Sequence, residues 1–218
     1  MEVEIRKLNK FKMKLFKKII IRAVLVIVIL FIGLVIYRIP HVIKKSKTEE
    51  LVAKIHNTKL VMDDVMGKNL PPDPGMEADK TVQGIDANQN GIRDDVELAI
   101  FKEYPNSAKT RAALLQYALA LQMEMSQSFL NTEVVIAAIQ EASRANICVA
   151  DTLVPRKSPE SAREYSDLEK IDKYIDFVEK KQLNTDERKR FRKEFYKKIG
   201  SYNSLPHVCD IDYSLLVN

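Results

Sequence analysis

Residues 19–37 read IIIRAVLVIVILFIGLVIY, and this run determines how the rest of the chain is interpreted. Its one charged residue, Arg22, lies within a turn of the end that follows the basic N-terminus. An α-helix rises about 1.5 Å per residue, so the run is about 28 Å long and matches the hydrocarbon core of a bilayer. Pro40 is expected to end the helix. The sequence therefore predicts a transmembrane signal anchor over residues 19–39.

A cleaved signal peptide is the main alternative for this segment. Such peptides have an apolar region of roughly 7–15 residues, followed by small residues at the cleavage site. Here the apolar run is longer and leads into Arg38-Ile39-Pro40-His41, which offers no such site. The length and this flank favour an uncleaved anchor.

The basic residues are concentrated around the span. Residues 1–47 contain twelve Lys or Arg against Glu2 and Glu4, whereas residues 48–218 contain 23 basic and 28 acidic side chains. The basic residues that give the chain its pI of about 9.0 therefore lie at one end, and a DNA-binding domain is not expected. Seven of the twelve cations come before the span and an eighth, Arg22, lies just inside it, whereas four follow it. This bias predicts a cytoplasmic N-terminus at residues 1–18 and an exported C-terminal part.

The two cysteines, Cys148 and Cys209, both lie in the part predicted to be exported. A pair of cysteines in an oxidising compartment most simply forms a disulfide. Two unrelated buried thiols are the alternative that the sequence leaves open.

The remainder of the chain predicts an all-α fold, a small helical bundle that follows the transmembrane helix. Residues 40–84 are expected to form a juxtamembrane helix from Thr48 to Gly67 and a Pro-rich linker, and residues 85–218 the exported domain. Apolar spacing and capping residues predict its helices at about 94–103, 107–129, 131–146, from Ser158-Pro159 through Val178, and 184–199. The expected N-caps are Ser107, then Asn131 or Thr132, and for the last helix Thr185 or Asn184.

Residues 86–97, DANQNGIRDDVE, satisfy the EF-hand loop pattern D-x-[DN]-x-[DN]-G-x₅-E in full. Calcium prefers six to eight oxygen ligands, and a tight loop can direct alternate side chains toward one ion. The glycine at position 6 permits the sharp turn. The pattern predicts a Ca²⁺ site whose ligands are Asp86, Asn88, Asn90, the carbonyl of Ile92, Asp94 and Glu97.

Two departures distinguish this loop from a paired EF-hand. The segment before Asp86 is Pro-rich, so no incoming helix is expected, and Arg93 occupies position 8, where paired loops carry an apolar residue. Only three of the ligands are charged, which predicts weak affinity. The metal-free alternative is that Asp86 and Asn90 form Asx-turns while the acids at 94 and 95 favour a helix N-terminus.

The stretch PPDPG, followed by GIDxNxNGIRDDVE, an apolar helix and Tyr-Pro, resembles a group of uncharacterised bacterial exported or membrane-anchored proteins. The similarity covers about residues 70–122 and includes a lone calcium loop of the dockerin or thrombospondin type 3 kind. The resemblance implies a bacterial envelope protein with a calcium-type loop, and it implies no activity.

No catalytic residues are predicted. The three histidines, His41, His56 and His207, are scattered and are expected to be exposed, as are the carboxylates of Asp63 and Asp64. Nucleophile and phosphate-binding motifs such as GxSxG and GxxxxGK are missing from the sequence.

The favoured function is a non-enzymatic structural or interaction role at the bacterial inner membrane, with one structural calcium and a periplasmic or extracellular domain. The expected partners are the membrane and an unidentified envelope protein or polymer. An envelope hydrolase or its accessory subunit, and a component of a secretion or appendage assembly, remain alternatives. A catalytic cleft would favour the hydrolase, whereas a large exposed apolar patch would favour the interaction roles.

Overall fold

The computed structural model describes residues 2–128, 130–158, 160–213 and 216. These residues form helices and loops with no strand, which confirms the predicted all-α class. The chain divides into two compact units, Met1–Lys47 and Thr48–Asn218. The helices are α1 (Glu2–Asn57), α2 (Met62–Val65), a 3-10 helix (Gly75–Asp79), α3 (Asp94–Glu103), α4 (Ala108–Met125), α5 (Thr132–Leu153), α6 (Tyr165–Gln182) and α7 (Asp186–Tyr196).

Helix α1 contains the apolar run, whose large side chains are exposed. In the part of the chain that the structure describes, it is the one helix long and apolar enough to cross a membrane, a criterion that a signal sequence also meets. The prediction that Pro40 ends the helix is wrong, because α1 continues through Pro40 to Asn57. Proline removes one N–H donor, and residues 41–57 contain no further Gly or Pro to interrupt the helix.

The predicted juxtamembrane helix is interrupted before Gly67. Its first part belongs to α1, which ends at Asn57, and α2 forms only after a short extended segment. In that segment the backbone N–H of Leu60 donates to Asp210 Oδ2 at 3.0 Å. A tertiary contact with the C-terminal tail thus replaces a helical hydrogen bond.

The predicted cap at Ser107 is confirmed, and of the two pairs of alternatives the structure has Asn131 rather than Thr132 and Thr185 rather than Asn184. Side chains of Ser107, Asn131 and Thr185 accept hydrogen bonds from backbone N–H groups in the first turns of α4, α5 and α7, at 3.1, 2.9 and 3.2 Å. Each bond satisfies a donor that the helix leaves unpaired. Helix α4 ends at Met125, short of the predicted limit at Phe129, which lies outside the described residues.

The predicted start of α6 at Ser158-Pro159 is wrong, although Pro159 itself lies outside the described residues. Helix α6 begins at Tyr165, where Glu164 is the N-cap and forms a capping box with Asp167. A capping box satisfies two unpaired N–H groups, whereas a proline at the first helical position only avoids creating one. The preceding helix α5 extends to Leu153 rather than to about residue 146, since the first breaker after it is Pro155.

Helix α4 is the centre of the Thr48–Asn218 unit. Its side chains from Thr110 to Met125 are buried, and it contacts α2, α3, α5, α6 and α7. A helix buried on all sides shows no amphipathic stripe, because every face meets another element. The tail is joined to this core by the disulfide between Cys148 on α5 and Cys209, so the predicted pairing is confirmed.

Candidate metal centre

Loop 86–97 leads directly into α3, which begins at Asp94, so that Glu97 lies in the first helical turn. The residues from Lys80 to Ile85 are non-helical, as predicted for a loop without an incoming helix. One side of the loop faces α4. A Cβ added at Gly91, whose φ is +85°, would lie 2.7 Å from Leu119 Cδ1. Both the backbone conformation and this close approach require glycine at position 6.

Side-chain oxygens hold the loop closed. Asp86 Oδ1 accepts from the backbone N–H of Asn90 at 3.1 Å, and its Oδ2 accepts from that of Gly91 at 2.9 Å. Asn90 Oδ1 accepts in turn from the N–H of Ile92 at 2.8 Å. These contacts are the Asx-turns at Asp86 and Asn90 that the metal-free alternative predicts.

Two acidic side chains of the loop are buried. Asp94 is 0% exposed, and both of its carboxylate oxygens lie 3.0–3.1 Å from the backbone N–H of Ala87. Glu97 is 1% exposed, and its Oε2 accepts from Asn88 Nδ2 at 3.1 Å. Burial raises the pKa of Asp94 and raises that of Glu97 to about 7. Within the described ranges, no Lys or Arg forms an ion pair with either carboxylate.

The side-chain amide of Asn90 is incompletely bonded. Its Nδ2 atom is buried and has no hydrogen-bond partner among the described residues. The amide nevertheless lies close enough to Asp64 and Glu97 to lower the pKa of each carboxyl against the larger effect of burial.

The predicted ligands have the chemistry that calcium prefers, but their side chains do not converge on one point. All six donors are oxygens of the kind that calcium prefers, and Glu97 is positioned at the end of the loop. Among the described His, Cys, Asp and Glu side chains, however, no three converge closely enough to hold a metal. The carboxylates of Asp86 and Asp94 are hydrogen-bonded to backbone N–H groups instead.

Arg93, at position 8 of the loop, has a tertiary role that the sequence did not reveal. Its side chain is 0% exposed, and its guanidinium donates to the carbonyls of Lys181 and Gln182 at the end of α6. It also forms an ion pair with Asp95, with Nε 2.5 Å from Oδ1. Where a paired EF-hand contacts a second loop, this loop contacts the C-terminal end of a helix, whose carbonyls favour a cation.

Asp64 was predicted to be exposed, and this prediction is wrong. The residue is 9% exposed and lies beside the loop, near Asn90 and Asp86. Burial is the main cause of its raised pKa. The loop pattern could not indicate this neighbour, since Asp64 is separated from Asp86 by a Pro-rich segment.

A second acidic cluster lies beside a cavity of about 420 Å³ between α4, α5, α6 and α7. Arg192 donates to Glu179 at 2.9 Å and to Glu124 at 3.3 Å. Burial raises the pKa of Glu124 to about 7, whereas the nearer arginine contact keeps that of Glu179 low despite its burial. Glu179 lines the cavity, but Glu124 is 0% exposed and does not. The two carboxyls therefore do not form an acid–base pair on a shared cleft.

A third polar cluster joins the end of α1 to α5 and the tail. Glu141 Oε1 lies 3.0 Å from both His56 Nδ1 and Lys59 Nζ, and its Oε2 accepts from Arg144. His56 is thus partly buried, contrary to the prediction, while His41 and His207 are exposed. The charges of Lys59, Glu141 and Arg144 are paired with one another, which is the usual arrangement of a structural ion cluster.

Comparisons of the chain with protein-family models, curated proteins and solved structures found no match. The resemblance of residues 70–122 to exported bacterial proteins stays a prediction. The function proposed below depends on the contacts of loop 86–97, the composition of α1 and the disulfide.

Proposed function

We propose that this protein is a membrane-anchored envelope protein whose helical domain binds one structural calcium ion in loop 86–97. The observation that supports it most directly is the burial of Asp94 and Glu97 in a closed loop, without a basic partner among the described residues. Burying carboxylates without a cation is unfavourable, and a bound divalent ion would remove that cost. The role is structural or interactive rather than enzymatic.

The ligand roles follow the loop positions. Glu97 would close the site with two oxygens, and Asp94 would reach the ion directly or through water. The remaining donors are the side chains of Asp86, Asn88 and Asn90 and the carbonyl of Ile92. With two amides among them, the loop is expected to bind calcium at the millimolar levels found outside cells rather than to act as a cytosolic sensor.

The ion would join parts of the chain that are distant in sequence. The loop connects the Pro-rich linker to α3, and Arg93 connects it to the end of α6. Asn88 Nδ2 also donates to the backbone oxygen of Asn69 at 2.9 Å, which ties the loop to the segment after α2. A calcium ion bound here would hold these segments together as a structural ion, and it would not act as a calcium sensor.

The composition of α1 and the disulfide support the proposed location. Helix α1 is long and apolar enough to span a bilayer, and the excess of cations before the span favours a cytoplasmic N-terminus. A structural disulfide such as Cys148–Cys209 is typical of proteins in oxidising compartments. We infer a single-pass protein of the bacterial inner membrane with a periplasmic or extracellular domain and an unidentified envelope partner.

Calcium is expected to raise the melting temperature of the full-length protein in detergent micelles. A ligand at 100 times its Kd stabilises the folded state by about 2.7 kcal/mol, which corresponds to roughly 5–10 °C for a domain of this size. The Asp86→Ala/Glu97→Ala double variant should show no shift, because it lacks the first and last ligands. Thermal unfolding in calcium and in EGTA, followed by circular dichroism, measures the difference.

The matched control is Glu169→Ala/Asp172→Ala, which removes two exposed carboxylates from α6 and should keep the full calcium shift. The proposal would be contradicted if the melting temperature of the wild type were the same in calcium and in EGTA. It would also be contradicted if calcium raised the melting temperature of the Asp86→Ala/Glu97→Ala variant as much as that of the wild type.

A further inference from the structure

The N-terminal part of helix α1 carries cations without acidic partners. Residues 5–18 contain seven Lys or Arg and no Asp or Glu. The six whose side chains the structure describes are exposed and have no ion-pair partner among the described residues: Arg6, Lys10, Lys12, Lys14, Lys17 and Lys18. The Thr48–Asn218 unit differs, because eight of its lysines form ion pairs with Asp or Glu: Lys59, Lys68, Lys80, Lys157, Lys170, Lys180, Lys189 and Lys197. The described part of the chain therefore supplies no counter-ion to the N-terminal cations.

Four of these lysines share one face of the helix. At about 100° per residue, the basic stripe falls within an arc of about 100° and consists of Lys10, Lys14, Lys17 and Lys18. The opposite face carries Lys12 and three apolar side chains, Leu15, Phe16 and Ile19, each more than half exposed. Like charges four residues apart repel each other on a helix, so negative charge along the basic stripe would stabilise it.

The basic stripe lies close to the start of the apolar run at Ile19. Along the helix axis, at about 1.5 Å per residue, Lys17 and Lys18 are within about 3 Å of Ile19, Lys14 is about 8 Å away and Lys10 about 14 Å away. The headgroup region adds roughly 5–8 Å to each side of the hydrocarbon core, and a charge acts over a Debye length of about 8 Å beyond it. All four lysines are therefore within reach of lipid headgroups.

We propose that the basic stripe binds anionic phospholipid headgroups of the cytoplasmic leaflet. This inference rests on the proposed anchor and its orientation, and it adds a lipid partner to them. Four to eight cations directly on the cytoplasmic side of a span are the composition typical of an anionic-lipid site. Leu15 and Phe16 extend the apolar surface of the span on the other face, which favours a position at the interface. A zwitterionic headgroup carries a cation of its own, so the stripe should prefer lipids of net negative charge.

Native mass spectrometry of the full-length protein in detergent micelles tests the assignment. Phosphatidylglycerol and phosphatidylcholine with the same acyl chains are added in equal amounts. The wild type should retain the anionic lipid at least about tenfold more than the zwitterionic one, and Lys14→Gln/Lys17→Gln should lower this preference about fivefold or more. Raising the ammonium acetate concentration from about 50 to 500 mM should weaken the preference of the wild type, because salt screens exposed charges. A preference that salt does not change would overturn the inference.

Two matched variants separate charge at the basic stripe from other effects. Lys14→Arg/Lys17→Arg keeps both charges and should keep the preference. Lys102→Gln/Lys173→Gln removes two exposed cations from α3 and α6 and should also keep it, because the stripe is intact. Loss of the preference in either variant would contradict the assignment. Free glycerol phosphate in excess should leave the lipid bound, whereas displacement would show that the stripe binds phosphate groups rather than a lipid surface.

Extraction of membranes with alkaline carbonate separates this inference from the proposed anchor. If carbonate removes the wild type from membranes, the anchor and the lipid site are both refuted. If the wild type resists carbonate but retains both lipids equally, the lipid site alone is refuted. The inference is supported if the wild type resists carbonate and prefers phosphatidylglycerol, with the preference reduced only in Lys14→Gln/Lys17→Gln.

Discussion

Replacing Cys148 and Cys209 by alanine is expected to lower the free energy of unfolding by about 4 kcal/mol, or to lower the melting temperature by roughly 10 °C. The bond closes a loop across a sequence separation of 61, and its main effect is to restrict the unfolded chain. The tail keeps other contacts, since the side chain of Gln116 bonds to the backbone of Val208 and Asp210. The variant should therefore fold with the tail in place.

Urea unfolding of the wild type with and without reductant, beside the double alanine variant, measures this effect. Reductant should lower the midpoint of the wild type toward that of the variant and leave the variant unchanged, which controls for other actions of the reductant. Equal midpoints for oxidised wild type and variant would show that the bond does not restrict the unfolded state as described.

The Arg93→Met substitution is expected to lower the free energy of unfolding by about 3 kcal/mol, because it removes one partner of a buried ion pair. Methionine can occupy much of the volume but leaves Asp95 and the carbonyls of Lys181 and Gln182 without their donor. Because Asp95 is partly exposed to solvent, the decrease in the free energy of unfolding should lie at the lower end of the range for broken buried ion pairs. The effect should persist in EGTA, because it concerns the packing of the loop on α6.

Lys189→Met is the matched control for Arg93→Met. Lys189 forms an exposed ion pair with Asp186 on α7, at 3.2 Å, and losing it should cost less than about 1 kcal/mol. Chemical denaturation in EGTA compares the two variants with the wild type. If both variants lost less than about 1 kcal/mol of unfolding free energy, Arg93 would not be an important contact between loop 86–97 and α6.

Local sequence patterns predicted the class of the fold and several helix boundaries. The cap at Ser107 was predictable, and those at Asn131 and Thr185 to within one residue, because each bond joins residues three positions apart. The disulfide was predictable because two cysteines allow only one pairing. Two predictions from proline were wrong. Helix α1 passes through Pro40, and the capping box at Glu164 rather than Pro159 marks the beginning of α6.

The surroundings of the candidate site depended on tertiary contacts and were not predictable. The 12-residue pattern indicates ligands within the loop, because their spacing is local. It contains no information on Asp64, which lies on the far side of the Pro-rich segment, or on the helix end that accepts from Arg93. The burial of Asp64 accompanies the packing of α2 on α4, and that of Arg93 follows from its contacts with the end of α6. A residue's own sequence neighbours do not specify such packing.

Calcium content per chain tests the central claim most directly. Full-length protein in micelles would be dialysed to equilibrium against radioactive calcium at a free concentration of about 10 mM, at least ten times the Kd expected of an extracellular site. The proposed site predicts one bound ion per wild-type chain and none in the Asp86→Ala/Glu97→Ala variant. A wild-type chain without calcium, or a double variant that retains its ion, would contradict it.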